Sequence, residues 1–419
     1  MFAKRGKYRL RGAARPPGPG AATLAGSPAR GYHSAMRDPT ARRAKRPVAF
    51  VLCCFLACFA AVPATAIPKV LTCRWAYIDK AGKIVIDGLV SAGRPLGNTM
   101  LAEAGSFADG AAVVLASDKS GAALGWFIIG PSGELLFDVG SRCEFDSDTY
   151  VFSEGLVPFK DRSAAKFGYT NPKGEIVVPA EFDWGSPFSE GLARVEKNGK
   201  CGFIDRKGKV VIPFEFNNAG SFQGGFAVYE KGGKYGYIDG AGKALTPPLY
   251  DSARPFSEGL ALVKSNGKYG FLGRDGAVAI PCAFEYAESF KEGLAPIRSG
   301  EKHGYIDKAG GIAIAPVWDS GWGFSEGLAV VSSDTKYGYI DAKGKVAIKL
   351  RYRSAWDFSE GLARVETSSN GDYGYVDKRG KLVIDTRFYK AKDFKNGLAA
   401  VYAYGAEVEK AAKKRAAGN

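Results

Sequence analysis

Carboxylates are the side chains in this sequence whose type and spacing first suggest chemistry. Five copies of Phe-Ser-Glu-Gly place a glutamate at Glu154, Glu190, Glu258, Glu326 and Glu360. Two carboxylates on either side of a glycosidic bond would suit the acid–base chemistry of a glycoside hydrolase. Such a pair is needed only once, whereas this acid recurs at nearly constant spacing. We therefore expect these glutamates to cap loops or to lie in solvent, and we predict no catalytic residue.

A second series of carboxylates, within Ile/Val-Asp-x-x-Gly, could suggest calcium binding. The series comprises Asp205, Asp239, Asp307, Asp341 and Asp377. Arg206-Lys207 and Lys378-Arg379 follow two of these acids, and their positive charges would repel a metal ion. Asp at the first position and Gly at the fourth are instead preferred in type I turns. The series predicts turn capping, and we expect no metal and no cofactor.

The remaining bases and nucleophiles are scattered. His303 is the only histidine beyond residue 66, and it occupies a position that holds Tyr or Cys in most other copies of the motif. A Ser-His-Asp or Cys-His system would have to be built around this one side chain. Cys73, Cys143, Cys201 and Cys282 include no C-x-x-C pair, so the spacing of a metal site is absent and disulfide pairing stays open. The sequence thus favours a protein that is not an enzyme.

The recurrence itself is the strongest signal. Phe-x-x-Gly begins at nine positions, and after the first two intervals of 45 and 36 residues the spacing is almost always 34: Phe107, Phe152, Phe188, Phe222, Phe256, Phe290, Phe324, Phe358 and Phe394. A second motif, Gly-aromatic-aliphatic-Asp, keeps the same period at Gly202, Gly236, Gly304, Gly338 and Gly374. Two independent motifs with one period indicate tandem repeats.

The elements of one repeat can be read from residues 188–218. Leu192–Glu196 alternates as a half-buried strand does, and Asn198-Gly199 is a two-residue hairpin signal. Lys200–Asp205 reads as the second strand, and Val210–Ile212 as the third, which Pro213 ends because it has no amide hydrogen to donate. Each repeat is therefore predicted to be a three-stranded antiparallel meander followed by a connector.

The repeat resembles the unit of the WG-repeat family, also called the KWG repeat, of mainly bacterial proteins. Tyr337–Asp341 and Phe324–Val330 carry the resemblance, although the Trp position is held by Tyr, Cys or His, and Trp75, which retains it, precedes Ala76 instead of Gly. The resemblance spans about nine copies over residues 73–404, of which the first two are degenerate. It implies the type of repeat and says little about activity.

We predict an all-β fold of tandem 34-residue repeats in an open stacked or superhelical array. The alternative is a β-propeller, in which an aromatic-acid pair in the connector would form the fourth strand of each blade. Seven of the phenylalanines, Phe188 to Phe394, are expected to fill the grooves between neighbouring repeats. The motif glycines are expected where backbone or a ring from a neighbouring unit comes close. These residues and the turn aspartates are the predicted structural anchors.

Basic residues are concentrated at the N-terminus. The net charge is +15, but residues 1–66 contain twelve Lys or Arg and one Asp. The rest of the chain is thus only weakly basic, and we expect no nucleic-acid partner.

The N-terminal sequence is typical of a secretory signal peptide. A cationic segment, the apolar run Val48–Val62 and the small residues Ala64-Thr65-Ala66 follow one another. Fifteen helical residues rise about 22 Å, less than the roughly 30 Å of a bilayer core, so no permanent span is expected. Retention as an anchor is the alternative. We divide the chain into a disordered extension or mis-called start (1–35), a signal peptide (36–66), degenerate repeats (67–150), regular repeats (151–404) and a charged tail expected to fray (405–419).

The sequence predicts an exported, non-catalytic binding or scaffold protein that meets a protein or envelope partner. It could be periplasmic, secreted or on the cell surface. The alternative is a glycan or cell-wall binder that uses exposed rings, for example those of Trp184, Trp318, Trp322 and Trp356. An enzyme would require a polar cluster within Thr72–Tyr150, where repetition is weakest. The partner and the oligomeric state stay open.

Overall fold

The computed structural model describes residues 73–91, 94–95, 99–140, 143–145, 151–367 and 371–416. The predicted extension and signal peptide lie outside these residues. Four short strands come first: β1 (Cys73–Ile78), β2 (Ile84–Ile86), β3 (Val90–Ser91) and β4 (Arg94–Pro95). Among the described residues, no helix combines the length and the apolar character needed to cross a bilayer.

Eight four-stranded modules then follow one another in the described chain. Module 1 is β5 (Met100–Ala104), β6 (Ala112–Ser117), β7 (Ala123–Ile129) and β8 (Leu135–Gly140); module 2 is β9 (Cys143–Glu144), β10 (Val157–Asp161), β11 (Lys166–Thr170) and β12 (Ile176–Phe182). Module 3 is β13 (Trp184–Gly185), β14 (Leu192–Lys197), β15 (Lys200–Asp205) and β16 (Val210–Phe216); module 4 is β17 (Asn218–Ala219), β18 (Phe226–Lys231), β19 (Lys234–Asp239) and β20 (Ala244–Tyr250).

The later modules repeat this order. Module 5 is β21 (Ser252–Ser257), β22 (Leu260–Ser265), β23 (Lys268–Leu272) and β24 (Val278–Phe284); module 6 is β25 (Tyr286–Ala287), β26 (Ala295–Ser299), β27 (Lys302–Ile306) and β28 (Ile312–Trp318). Module 7 is β29 (Ser320–Gly321), β30 (Leu328–Ser333), β31 (Lys336–Asp341) and β32 (Val346–Tyr352); module 8 is β33 (Ser354–Ser359), β34 (Leu362–Glu366), β35 (Tyr373–Asp377) and β36 (Leu382–Ala391). β37 (Ala399–Tyr404) and helix α1 (Gly405–Ala416) end the described chain.

The all-β tandem repeat is confirmed, but each module has four strands instead of the predicted three. The connector supplies the extra first strand: in module 3, Trp184 and Gly185 pair with Glu196 and Val195 of β14. The last strand also continues past Pro213 to Phe216. β16 lies at the edge of its sheet, so the lack of an amide hydrogen at Pro213 leaves no neighbouring strand without a hydrogen-bond donor.

The two ends of the described region are joined by strand pairing. β1 pairs antiparallel with β37 through six residue pairs, from Cys73↔Tyr404 to Ile78↔Ala399. The end of β36, β37, β1 and β2 therefore form a ninth module, in which β1 and β2 come from the other end of the chain. The tandem four-stranded sheets of the described residues are those of a repeat array, and none of them is closed into a barrel. The β1–β37 pairing in addition brings the two ends of the described region together, as the propeller alternative requires.

The apolar core lies between adjacent modules. One cluster joins Phe203 and Ile212 of module 3 to Phe222 and Ile238 of module 4, and each of these side chains is almost fully buried. Comparable clusters connect the other neighbours. A single module cannot bury both faces of its sheet, so each depends on the next.

Within the predicted charged tail, the described residues 405–416 form helix α1. Val408 is fully buried and packs in one cluster with Ala76 and Ile78 of β1 and Val401 of β37. Val408, together with the partly buried Ala411, therefore attaches the helix to the ninth module.

Candidate binding surface

The predicted phenylalanine anchors lie between modules. All seven are at most 2% exposed, and each packs against an aromatic ring of the module before it. Phe324, for example, has its centroid 5.2 Å from that of Tyr305. The Tyr305 hydroxyl donates to the carbonyl oxygen of Trp322 at 2.9 Å, and burial raises the pKa of this hydroxyl, which keeps it a donor. The repeated aromatic residues thus join neighbours.

The Ser and Glu of Phe-Ser-Glu-Gly also contact the next module. Ser189 donates its hydroxyl to the carbonyl oxygen of Phe222 at 2.7 Å, and the Glu190 carboxylate accepts the amides of Gly224 and Gly225 at 2.6 and 2.8 Å. Corresponding carboxylate contacts are made by Glu154, Glu258, Glu292, Glu326 and Glu360. The recurring acid is therefore used to cap the loop of a neighbour.

Lysines of the next module reinforce several of these acids. Lys308 lies 3.1 Å from Glu258, and equivalent pairs join Lys378 to Glu326 and Lys80 to Glu360. Burial alone would raise the pKa of Glu258, but the Gly293 amide and the Lys308 ammonium outweigh it, so the pKa is lowered. The charged state of the acid is thus stabilised by the folded protein.

The motif glycines lie where a side chain would collide with backbone. A Cβ at Gly236 would lie 2.6 Å from the carbonyl oxygen of Thr246, and Gly202, Gly304, Gly338 and Gly374 have equivalent neighbours at 2.5–2.8 Å. Backbone therefore comes close to the glycine, as expected, but Thr246 belongs to the last strand of the same module and not to a neighbouring unit. The close approach accompanies a register shift between the last two strands.

The predicted turn aspartates bind backbone amides. Asp205 Oδ1 accepts the amides of Lys207 and Lys209, each at 2.9 Å, and Asp239, Asp307, Asp341 and Asp377 make the same pair of contacts. In the described part of the chain, no group of three or more His, Cys, Asp or Glu side chains has the arrangement of a metal site.

Connector acids form a second set of contacts between modules. Asp319 lies 2.6 Å from Lys302 of module 6 and also accepts the amide of Asp334 in module 7 at 2.8 Å. The hydrogen bond from Lys302 lowers the pKa of Asp319. Asp183 bridges modules 2 and 3 in the same way through Lys166 and the amide of Asn198.

A group of charged side chains interrupts these repeated contacts. Lys291 stands where five other modules have the Ser that binds the next Phe carbonyl. Its ammonium instead lies 3.4 Å from Asp357, two modules further on. Gly323 of the module between them makes this possible, because a Cβ there would lie 2.7 Å from Lys291 Cδ.

Arg364 extends this group, which we call the charged cluster (Lys291, Trp356, Asp357, Arg364 and Asp393). Its Nε lies 2.8 Å from Asp393, and its guanidinium lies 4.8 Å above the ring of Trp356. Asp357 retains 42% of its side-chain exposure, yet burial by surrounding atoms raises its pKa, against the opposing charges of Lys291 and Arg364.

Sequence reasoning missed four of these five residues. The available signal was departure from the repeat: an aspartate at Asp357 and Asp393 where five other copies have Ser or Pro before the Phe, and Arg364 where most copies have an apolar residue. The acids that recur in the repeat motifs, which were the first candidates for chemistry, do not belong to the charged cluster.

The four tryptophans of the glycan alternative are half-buried, so the freely exposed aromatic face that it requires is not found among them. Trp184 lies under Arg194, 4.0 Å from its guanidinium, and Trp318 Nε1 is buried with no hydrogen-bond partner. His303 is also half-buried, faces Trp318 across two strands and contacts the ring of Tyr286. Burial and Arg298 lower its pKa. None of the four described cysteines forms a disulfide.

Comparison with known proteins shows a repeat family. The family described as "WG containing repeat" matches seven consecutive segments: 167–201, 202–235, 235–269, 269–302, 304–337, 337–369 and 373–403. No curated protein matches significantly. Among solved structures, the Kluyveromyces lactis Hsv2p structure is 8% identical with a TM-score of 0.35 (56% of this chain, 89% of that chain). Selenomethionine-substituted virginiamycin B lyase from Staphylococcus aureus is 14% identical with a TM-score of 0.30 (60% and 92%). At these low TM-scores, the structural similarities bear no weight for this chain.

Proposed function

This chain belongs to the WG-repeat family, and we propose that it is an exported, non-catalytic binding or scaffold protein for a protein or envelope partner. The charged cluster is the surface proposed to bind. The observation that carries the proposal is the Lys291–Asp357 contact, which spans two modules and replaces a repeated structural contact.

The repeated residues support a non-catalytic role. The glutamates accept amides of the next module, and the aspartates accept amides of their own turns. A carboxylate held in this way has its lone pairs occupied by backbone donors, so it is poorly placed to transfer protons to a substrate.

The charged cluster supports a binding role because stability does not explain it. Solvent-exposed ion pairs contribute only about 0–1 kcal/mol. Lys291, 52% exposed, replaces the Ser that elsewhere bonds directly to the next module. Asp357, 42% exposed, stands where five other copies have Ser or Pro. Arginine and tryptophan, here Arg364 over Trp356, are enriched among residues that dominate binding energy at protein interfaces.

A capture experiment tests the proposal with variants that restore the repeat. The double variant Lys291→Ser/Asp357→Ser places the residue type of other modules at both positions, so we expect it to fold. Crosslinking from the envelope fraction followed by mass spectrometry should recover a partner with the parent and about tenfold less with the variant, a change of about 1.4 kcal/mol.

The matched control is Lys268→Ser/Glu285→Ser, which removes an exposed ion pair of 3.6 Å elsewhere. It should capture as much partner as the parent. Equal capture by both double variants would exclude the charged cluster as the binding surface. Recovery of polysaccharide alone would favour the glycan alternative, for which the half-exposed Trp356 beside Arg364 and Asp357 is the supporting feature.

Export is tested separately by sequencing the N-terminus of the protein from cell fractions. Cleavage by a signal peptidase should give a chain that begins after Ala66. A chain that retains residues 48–62 in the membrane fraction would support the anchored alternative.

A further inference from the structure

The ninth module is the one described module whose second and third strands are not joined by the chain. In modules 1–8 a short turn or loop connects these strands, as in β14 and β15, where Lys197 faces Lys200. In module 9 the second strand is β37 and the third is β1, and they belong to opposite ends of the described region. We call residues 73–86, which contain β1 and β2, the closing segment.

The closing segment is also less completely paired than its counterparts. In modules 2–8 the last strand makes three register pairs with the third, of which Cys201↔Phe216 is an example. β2 makes two such pairs with β1, and Trp75 pairs instead with Leu101 of β5. Ala76 explains the difference, because it stands where the other modules have a glycine whose Cβ would collide with the last strand.

The closing segment contains a buried polar atom without a hydrogen-bond partner, Arg74 Nε in β1. Three other buried side-chain nitrogens among the described residues share this property: Arg387 Nε in β36, and His303 Nδ1 and Trp318 Nε1 in module 6. A buried donor without a partner loses its hydrogen bonds to water and gains none from the protein. Water can bind the donor again when β1 leaves the sheet.

Contacts that hold the closing segment are available to any copy of it. Lys80 lies 3.2 Å from Glu360, Arg387 donates to the carbonyl oxygen of Gly82 at 2.7 Å, and Ala76 and Ile78 are fully buried. These partners belong to modules 8 and 9, and module 1 adds others: the Tyr77 hydroxyl donates to the carbonyl oxygen of Gly105 at 2.7 Å, and the ring of Tyr77 packs against Phe107. An identical segment from another molecule would satisfy them equally.

We propose that the closing segment is displaceable, and that β37, once uncovered, accepts the closing segment of a second copy of this chain. The result is a strand-exchanged oligomer. Residues 87–99 connect the segment to β5 and could extend to about 43 Å, which is long enough for the segment to reach a neighbouring molecule. This inference is independent of the proposed function.

Native Cys73 permits a direct test. Cys73 faces Tyr404 across the β1–β37 ladder, so Tyr404→Cys places two cysteines on facing residues, at a separation compatible with a disulfide. The variant is concentrated and incubated in mild denaturant, which is then removed, and it is oxidised either before or after this step. Non-reducing electrophoresis and light scattering then measure covalent dimer.

Oxidation before incubation should trap monomer, and oxidation after incubation should give covalent dimer. The control Cys73→Ser/Tyr404→Cys should give no covalent dimer under either order, although it exchanges as the parent does. Dimer that forms equally when oxidation comes first, or absence of dimer under both orders, would overturn the proposal.

Hydrogen exchange of the unmodified protein supplies a second test that needs no variant. Amides of β1 that bond to β37 should exchange at least about tenfold faster than amides of β15 that bond to β14, because only β1 can leave without unfolding a continuous module. Equal protection of the two strands would contradict a displaceable closing segment.

Discussion

Modules 3 and 9 have the same four strands in the same order, but they are stabilised differently. Module 3 is continuous in sequence, has glycine at Gly202, and pairs its last two strands through Phe216. Module 9 is assembled from two distant segments, has Ala76 at the equivalent position, and loses the last of these pairs. The comparison shows which repeated residues determine the sheet itself and which join one sheet to the next.

The joining residues are nearly the same in both regions. Phe222 packs on Phe203 at 4.9 Å between modules 3 and 4, and Phe394 packs on Tyr375 at 5.0 Å between modules 8 and 9. Glu190 and Glu360 each bind an amide of the following module. Module 9 therefore keeps the contacts that join it to its neighbour, although fewer residues pair between its own strands.

The largest expected effect comes from removing a joining ring. Phe256 is 1% exposed and lies 5.1 Å from the ring of Tyr237 and 4.9 Å from that of Phe226. Phe256→Ala should lower the free energy of unfolding by about 3–5 kcal/mol, because it leaves a cavity between two modules. Urea and thermal unfolding measure the change. A variant that unfolds at the parent's midpoint would mean that the ring does not join modules 4 and 5.

The next effect tests the glycine that module 9 lacks. Gly236→Ala places a methyl group 2.6 Å from the carbonyl oxygen of Thr246, so the last strand must move, at a cost of about 1–3 kcal/mol. Gly240→Ala is the matched control, since no atom lies within 4 Å of its added Cβ. If both substitutions cost the same in urea unfolding, close backbone approach is not the reason for the glycine.

Much of the fold was predictable because its signals are local and repeated. Asn198-Gly199 predicted the hairpin, and both residues have positive φ, 53° and 70°. The three-stranded prediction left out the first strand of each module, which only the propeller alternative included. In five modules this strand has just two residues, such as Trp184-Gly185, which carry too little alternation to be recognised. The β1–β37 pairing was missed because nothing in either segment specifies a partner more than 300 residues away.

The candidate surface was harder to predict than the fold. Lys291 and Asp357 are 66 positions apart, and their contact depends on Gly323, whose closeness to the Lys291 side chain is visible only in three dimensions. The acids that recur in the sequence were the obvious candidates for chemistry, but in the structure they bind backbone amides. The residues of the charged cluster lie outside the repeated pattern, and only the three-dimensional arrangement of the modules shows that they are neighbours.

Acid should weaken contacts of the regular and closing modules together. For Glu258 and Glu360, burial favours a raised pKa, but amide and lysine contacts outweigh it and lower the pKa of both. A carboxyl whose pKa is lowered by folding stabilises the protein above its unfolded pKa of about 4.3, and this contribution disappears as the pH falls through the folded pKa. The melting temperature should therefore fall between about pH 5 and pH 3.

Substituting each acid separately shows how much of this sensitivity to acid comes from the regular modules and how much from the closing segment. Glu258→Gln and Glu360→Gln should each cost about 1 kcal/mol near pH 7 and reduce the dependence on acid, because the charge-assisted bonds are lost. Glu360→Gln should in addition increase hydrogen exchange in β1, since Lys80 then loses its partner. A change in β1 of the same size in Glu258→Gln would show that the Lys80–Glu360 pair has no special part in holding the closing segment.

The smallest expected effect is the substitution that would make module 9 more like module 3. Ala76→Gly removes the methyl group that opposes close approach of the last strand. Val90 is at the position equivalent to Phe216. Without the methyl group, Val90 could leave its pairing with Pro95 and pair with Trp75. Glycine in a strand also costs about 0.5–1 kcal/mol of backbone entropy, so the net change in unfolding free energy should stay within about 1 kcal/mol. The informative measurement is therefore hydrogen exchange at residues 84–90, which should slow even if the melting temperature does not move. Unchanged exchange there would mean that β2 is short because its own residues favour the β3–β4 hairpin, and that Ala76 is a consequence of weak pairing instead of its cause.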